Sequence, residues 1–166
     1  MQTSFSTASL ADRVLCPVLR ERIMTADQAA GLIQSGMTLG MSGFTPAGAP
    51  KAVPQALARR IEERNANGGN FRISLWTGAS TSPELDGALA KVHGIERRLP
   101  YQSDPTVRKE INEGRMQYVD IHLSHVAQHV WFGFLGHLDV AVIEVAGILP
   151  DGRLIPMVLA MGNHEV

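Results

Sequence analysis

Apolar, strand-like runs in this chain open repeatedly into loops of small residues, and each loop leads straight to a helix-start signal. That order constrains the fold more than any other feature. Met37 to Ser42 alternates weakly and runs into Ser42-Gly43-Phe44-Thr45-Pro46-Ala47-Gly48-Ala49-Pro50, whose glycines and prolines predict irregular backbone from Ser42 onward. From Lys51 the apolar Val53, Leu57 and Ile61 recur every four residues, with Pro54 tolerated in the first turn, and Asn67-Gly68-Gly69 ends that helix. Phe71 to Thr77 repeats the strand pattern, Gly78-Ala79-Ser80-Thr81 repeats the loop, and Ser82-Pro83 reads as an N-cap with proline behind it. Leu85 and Leu89 give this next helix its inner face.

The remaining segments fit the same scheme. Thr25 and Gln28 form a capping box for a first helix ended by Gly36, and Asp104-Pro105 opens a helix ended by Gly114. Met116 to Ile121 reads as a short strand, a helix follows from about Ser124, and Leu138 to Ile143 reads as a buried strand. Alternating strands and helices imply βαβ units, hence an α/β fold with a mostly parallel sheet and helices on both faces. Asp151-Gly152 between apolar runs signals a C-terminal antiparallel hairpin over 148–155, which would make the sheet mixed at that end.

With 166 residues, 45% apolar and 19% charged, the chain can close a single core, so residues 1–166 read as one domain with a polar tail over 1–14. A formal charge of −1 supplies no field for a polyanion, which argues against nucleic acid as a partner. One cysteine, Cys16, allows no intrachain disulfide, and a reducing cytoplasm is the simplest compartment. No apolar run approaches the roughly 18–20 residues that span a bilayer, and the first residues hold no apolar core of a secretory signal.

In an open α/β sheet, ligands collect where strand ends meet helix starts. In the Ser42 to Gly48 loop, Gly43 and Gly48 would let backbone N–H groups approach an anion or a developing oxyanion, or would serve turn geometry alone. The loop is neither a phosphate-binding Walker loop nor a dinucleotide fingerprint, and Phe44 stands where a serine-hydrolase elbow needs glycine. Ser80 offers a hydroxyl for a carboxylate or thioester oxygen, or is a plain turn residue; Ser103 precedes Asp104, which capping alone explains. His122, His125, His129 and His137 invite a metal reading, but Val126 occupies the place of the zinc-peptidase glutamate, and no metal site is expected. Glu144 lies in an apolar strand, either as a buried structural acid or as an active-site group reaching the sheet's edge.

The run Ser42 through Pro54 resembles the glycine loop and following helix of the acetyl-CoA hydrolase/transferase family, which includes succinyl-CoA:acetate and propionyl-CoA:succinate CoA-transferases. Thr77-Gly78-Ala79-Ser80, Ile111 to Arg115 through Asp120, His122-Leu123-Ser124 and Asp139 to Glu144 add to the resemblance, which extends from about Leu15 to Asn163. It implies a CoA-transferase-like, NagB/RpiA-like fold, two similar domains in one polypeptide, and a homodimer. It further implies short-chain acyl-CoA and small carboxylates as substrates, and no metal or organic cofactor beyond coenzyme A as carrier. In that family a glutamate attacks the acyl-CoA and passes through a glutamyl-CoA thioester, but the nucleophile lies in the second domain. No glutamate here sits in its motif, so no catalytic residue is assigned, and the isolated chain is expected to be inactive. By the same resemblance Gly43, Phe44, Gly48, Ser80 and Ser103 border the acyl and carboxylate pocket. The rival reading is a non-catalytic α/β module that holds a small carboxylate or other anion, and a further one is a poorly folding remnant.

Overall fold

The computed structural model describes residues 10–80 and 82–156. Thr25–Glu144 form one compact unit; the described residues before and after it form a second.

In the larger unit, β1 (Thr38–Thr45), β2 (Ile73–Ser80), β3 (Ile95–Leu99), β4 (Gln117–Tyr118) and β5 (Val140–Val142) make a sheet in the order β4-β3-β2-β1-β5, with every pair parallel. The chain therefore builds outward from β1 through β4 and then returns to place β5 on the other side of β1. Its helices are α3 (Ala26–Gly31), α4 (Ala52–Ala66), α5 (Ala88–Lys91, entered through a π-helical turn over Pro83–Gly87), α6 (Pro105–Asn112) and α7 (Leu123–Trp131). In the smaller unit lie α1 (Leu10–Arg13), α2 (Pro17–Arg20) and the antiparallel pair β6 (Val145–Ile148) and β7 (Leu154–Pro156).

Strand side chains alternate between the two faces of the sheet. Leu39, Met41, Ile73, Leu75 and Ile95 share a buried core with Leu57 and Ile61 of α4, and with Leu85 and Leu89. The opposite face carries Gly40 beside Trp76, then Gly78. Leu138 fills the space over Gly40, where a Cβ would meet its Cδ1 at 3.1 Å, and Leu123 of α7 lies 3.9 Å from the equivalent point at Gly78. Helices thus cover both faces, as the alternation predicts.

The start signals are realised in hydrogen bonds. Gln28 N–H donates to Thr25 Oγ1 at 3.2 Å and Thr25 N–H to Gln28 Oε1 at 2.9 Å, the two halves of the capping box. Asp104 Oδ1 accepts from the N–H groups of Thr106 and Val107, and Ser82 Oγ from that of Leu85. The hairpin turn closes with Leu149 N–H donating to Arg153 O at 2.8 Å and Gly152 at φ +88°, the backbone region that favours glycine.

Several expectations are corrected. Backbone from Ser42 onward is not irregular: β1 continues to Thr45, because a bulge between Met41 and Phe44 absorbs Gly43 (φ +124°) and pairing resumes at Phe44 opposite Ala79. Likewise Gly78-Ala79-Ser80 completes β2 rather than forming a loop. β3 went unread, since Glu96-Arg97-Arg98 breaks the apolar pattern, yet Arg98 is fully buried by an ion pair. The 138–143 strand is three residues long and only half-buried, with Ile143 exposed, because β5 is a sheet edge. The sheet is not mixed: the hairpin forms a two-stranded sheet of its own. The first helix also stops at Gly31, leaving Gly36 in a following turn, and Leu10–Arg13 of the expected polar tail is helical.

At the amino end of β3, the buried Glu110 carboxylate accepts from Arg115 through Nε at 3.1 Å and Nη2 at 2.6 Å, and lies 2.7 Å from His93 Nδ1. Burial alone would raise its pKa, but the Arg115 and His93 contacts outweigh burial and hold it below the ordinary 4.5. The unfolded chain therefore binds the proton first as pH falls, so this contribution is complete above about pH 4.5 and is lost below it. Urea titrations of wild type and Glu110→Gln should differ at about pH 5, and the difference should shrink as pH falls below about 4.5.

Candidate functional site

In a parallel sheet all carboxyl ends lie on one edge, and the crevice forms where the strand order reverses. Here the reversal is at β1, between β2 and β5. Four chain segments leave the sheet side by side on this edge: the 99–104 loop after β3, the end of β2 at Ser80, the 42–50 segment of β1, and Glu144 after β5.

The pairing register brings predicted residues together. Phe44 stands opposite Ala79 and Thr45 opposite Ser80, so the glycine segment and Ser80 are neighbours through their backbones; the Ser80 side chain and Thr81 lie outside the described residues. Leu99 stands opposite Trp76, which brings the exposed Ser103, four residues on, to the same edge. Phe44 is half exposed, and its N–H and C=O both bond to Ala47, at 2.8 and 3.1 Å, closing a tight loop over Pro46. Thr45 at φ +50° is a non-glycine residue in left-handed backbone, a strained conformation of the sort that gathers at ligand-binding loops. Gly48, at φ +67°, is buried at the loop's base.

Two residues strap this loop to β5. Ser42 Oγ donates to Gly48 O at 2.9 Å and accepts from the Glu144 N–H at 2.9 Å. The Glu144 carboxylate pairs with Lys51 Nζ at 3.1 Å, and Lys51 also donates to Ala49 O at 2.9 Å. Glu144 is thus not a buried acid: its side chain, 29% accessible, sits at the sheet's edge in this ion pair. Ser42 had no assigned role, although its place at the start of the loop could have marked it.

A second set of polar groups lies beneath the Ser80 and Ser103 segments. Arg98 and Asp86 are both fully buried, with Arg98 Nε donating to Asp86 Oδ1 at 3.0 Å and Nη2 to Thr77 Oγ1 at 2.6 Å. Burial raises the Asp86 pKa above its ordinary value even though Arg98 acts to lower it. This pair escaped sequence reading because a strand with three successive charges gives no amphipathic signal.

The histidines assemble no metal centre. His125 and His129 stack with ring centroids 6.3 Å apart, His122 caps α7 by accepting from the Ser124 N–H, and no group of three ligating side chains converges among the described residues.

A parallel α/β sheet with a strained glycine loop and a strapped carboxylate at its reversal point has the layout of the open α/β sheets in which ligands collect at the carboxyl edge. The chain belongs to the acetyl-CoA hydrolase/transferase family, whose N-terminal domain model matches residues 18–164. It is 45% identical over 138 residues to the succinyl-CoA:acetate CoA-transferase of Clostridium kluyveri, covering 83% of this chain and 25% of that protein. It is 48% identical over 131 residues to the propanoyl-CoA:succinate CoA transferase of Escherichia coli, covering 79% of this chain and 27% of that protein. With an acetyl-CoA hydrolase of Yarrowia lipolytica the identity is 39% over 159 residues, covering 90% and 30%. The chain thus spans about a quarter to a third of the length of these relatives. An acyl-CoA transferase crystal structure from Escherichia coli O157:H7 superposes with TM-score 0.53 at 14% identity over 64% of this chain and 22% of that one, a likeness of fold.

The two straps should differ in energetic weight. Ser42→Ala removes a partly buried hydroxyl from both its partners and should cost about 1–3 kcal/mol in chemical denaturation. Lys51→Met breaks a half-exposed ion pair and should cost less than about 1 kcal/mol. Equal costs would mean that the loop is held by the ion pair.

Proposed function

We propose that this chain is the N-terminal part of a CoA-transferase or acyl-CoA hydrolase acting on short-chain acyl-CoA such as acetyl-, propionyl- or succinyl-CoA. The observation that carries the reading is the row of segments at the β1 reversal, built on the stretches that the family model matches. Backbone N–H groups freed by Gly43 and Gly48 would stabilise the developing oxyanion of the thioester, and hydroxyls of Ser80 and Ser103 would orient the carboxylate acceptor. The relatives' greater length supports a C-terminal domain, to which this reading assigns the glutamate nucleophile. Coenzyme A then serves as carrier without a metal or further organic cofactor, and the complete enzyme works as a cytoplasmic homodimer. Glu144, held by Lys51, is on this reading a strap and not the nucleophile.

The test is acyl exchange with acetyl-, propionyl- and succinyl-CoA and labelled carboxylate acceptors, followed by borohydride or hydroxylamine trapping of a glutamyl thioester. The 166-residue chain should show no turnover, and a polypeptide extended to the relatives' full length should turn over and trap label outside these residues. Label trapped on Glu144 would overturn this assignment. Carboxylate binding without turnover in either form would favour the anion-binding module instead.

A further inference from the structure

Arg98 and Asp86 reach both ends of the segment around Ser80 and the start of the one around Ser103. Arg98 donates through Nη2 to Thr77 Oγ1, three residues before Ser80, at 2.6 Å. Through Nη1 it donates to Leu99 O, and to Pro100 O at 3.4 Å, where the Ser103 segment leaves the sheet. Asp86 turns its other oxygen to the Ser82 N–H, two residues after Ser80, at 3.3 Å. One ion pair is thus bonded before Ser80, after Ser80 and before Ser103.

The local backbone is shaped to put Asp86 there. The turn over Pro83–Gly87 is π-helical, with Gly87 N–H donating to Ser82 O at 3.2 Å, and it buries Leu85, Asp86 and Gly87 in succession. Such turns are rare and concentrate at functional sites. Next to it, a Cβ at Gly87 would stand 3.0 Å from Asp104 Oδ2, so the absence of a side chain lets the cap of α6 settle against the turn. Both serine segments consequently rest on the same few atoms.

Stability does not account for the pair. A buried ion pair costs so much desolvation that well-packed apolar residues of similar volume often serve as well or better, whereas the directional bonds to backbone and hydroxyl acceptors have no apolar substitute. Thr77, Ser82, Asp86, Arg98, Gln102 and Asp104 are all buried, so substrate does not reach this layer; it acts through the serines above it.

We propose that Asp86 and Arg98 are positioning residues that set the separation of the Ser80 and Ser103 segments in the acyl-transfer site. This rests on the functional reading above for its consequence in catalysis, but not for its structural content. The first experiment is hydrogen exchange on this chain, comparing peptides over 77–82 and 99–104 with core peptides of β1 and β2, alongside guanidinium unfolding. In the doubly apolar variant Asp86→Leu/Arg98→Met the unfolding midpoint should stay near wild type while both segments exchange about tenfold faster or more. Thr77→Val, a near-isosteric change, should loosen 77–82 and leave 99–104 protected.

In the full-length enzyme the double variant should lose roughly 10²-fold in kcat with KM for acyl-CoA unchanged, and Arg98→Lys should recover little of it, since an ammonium cannot reproduce the fork. Segments that exchange as in wild type, or that speed up only as much as the core peptides do, would overturn the proposal. If the double variant does not fold, equal loosening of both segments by Thr77→Val, or of neither, overturns it just as well. A wild-type enzyme without acyl exchange would refute the functional reading, while hydrogen exchange would still decide the positioning role.

Discussion

The parallel direction of all five strands in the larger unit is the constraint from which the candidate site follows. Each parallel connection must leave one edge of the sheet and re-enter at the opposite edge, so every segment that follows a strand is delivered to the same side. Reversal of the strand order at β1 then separates the crossovers on its two flanks, the position at which open α/β sheets take their ligands. The segments that carry Gly43, Ser80, Ser103 and Glu144, far apart in the chain, are thereby delivered to one edge of the sheet.

Within that frame, two polar devices of different character hold the edge. The Ser42–Glu144 strap is built on neutral hydrogen bonds to backbone, with an exposed ion pair added, and it ties the glycine segment to the edge strand β5. The Asp86–Arg98 pair is wholly buried and works from below. A surface pair is weak because water screens it, and a buried one is expensive because water is absent. Their geometry differs too: Ser42 bonds within its own segment and across to Glu144, whereas Asp86 and Arg98 bond on both sides of the Ser80 segment, to which neither belongs.

Membership of the acetyl-CoA hydrolase/transferase family gives this edge its chemical context, while the chain spans only a quarter to a third of the relatives' length. A thioester carbonyl needs donors that are in place before charge develops, and strained backbone at Thr45 beside Gly43 and Gly48 is a means of fixing N–H directions without side chains. On the proposed reading, this part frames the substrate and a group from elsewhere attacks it.

Sequence by itself determined the architecture and the capping, because those depend on local order: the Thr25–Gln28 box, Asp104-Pro105, Ser82-Pro83 and the Asp151-Gly152 turn are each complete within a few residues. Resemblance in the 42–54 run likewise pointed to the family without any coordinates. Tertiary structure alone decided where strands end and which charges lie inside. Glycine and proline in 42–50 look like loop, yet the neighbouring β2 supplies partners that carry β1 on through a bulge to Thr45. Three charges in Glu96-Arg97-Arg98 look like surface, yet Asp86, brought in by a distant turn, makes Arg98 a core residue. Local signals are legible because both partners lie in one stretch of chain. A bulge or a buried ion pair has its second partner on another strand or turn, and only folding brings that partner into place.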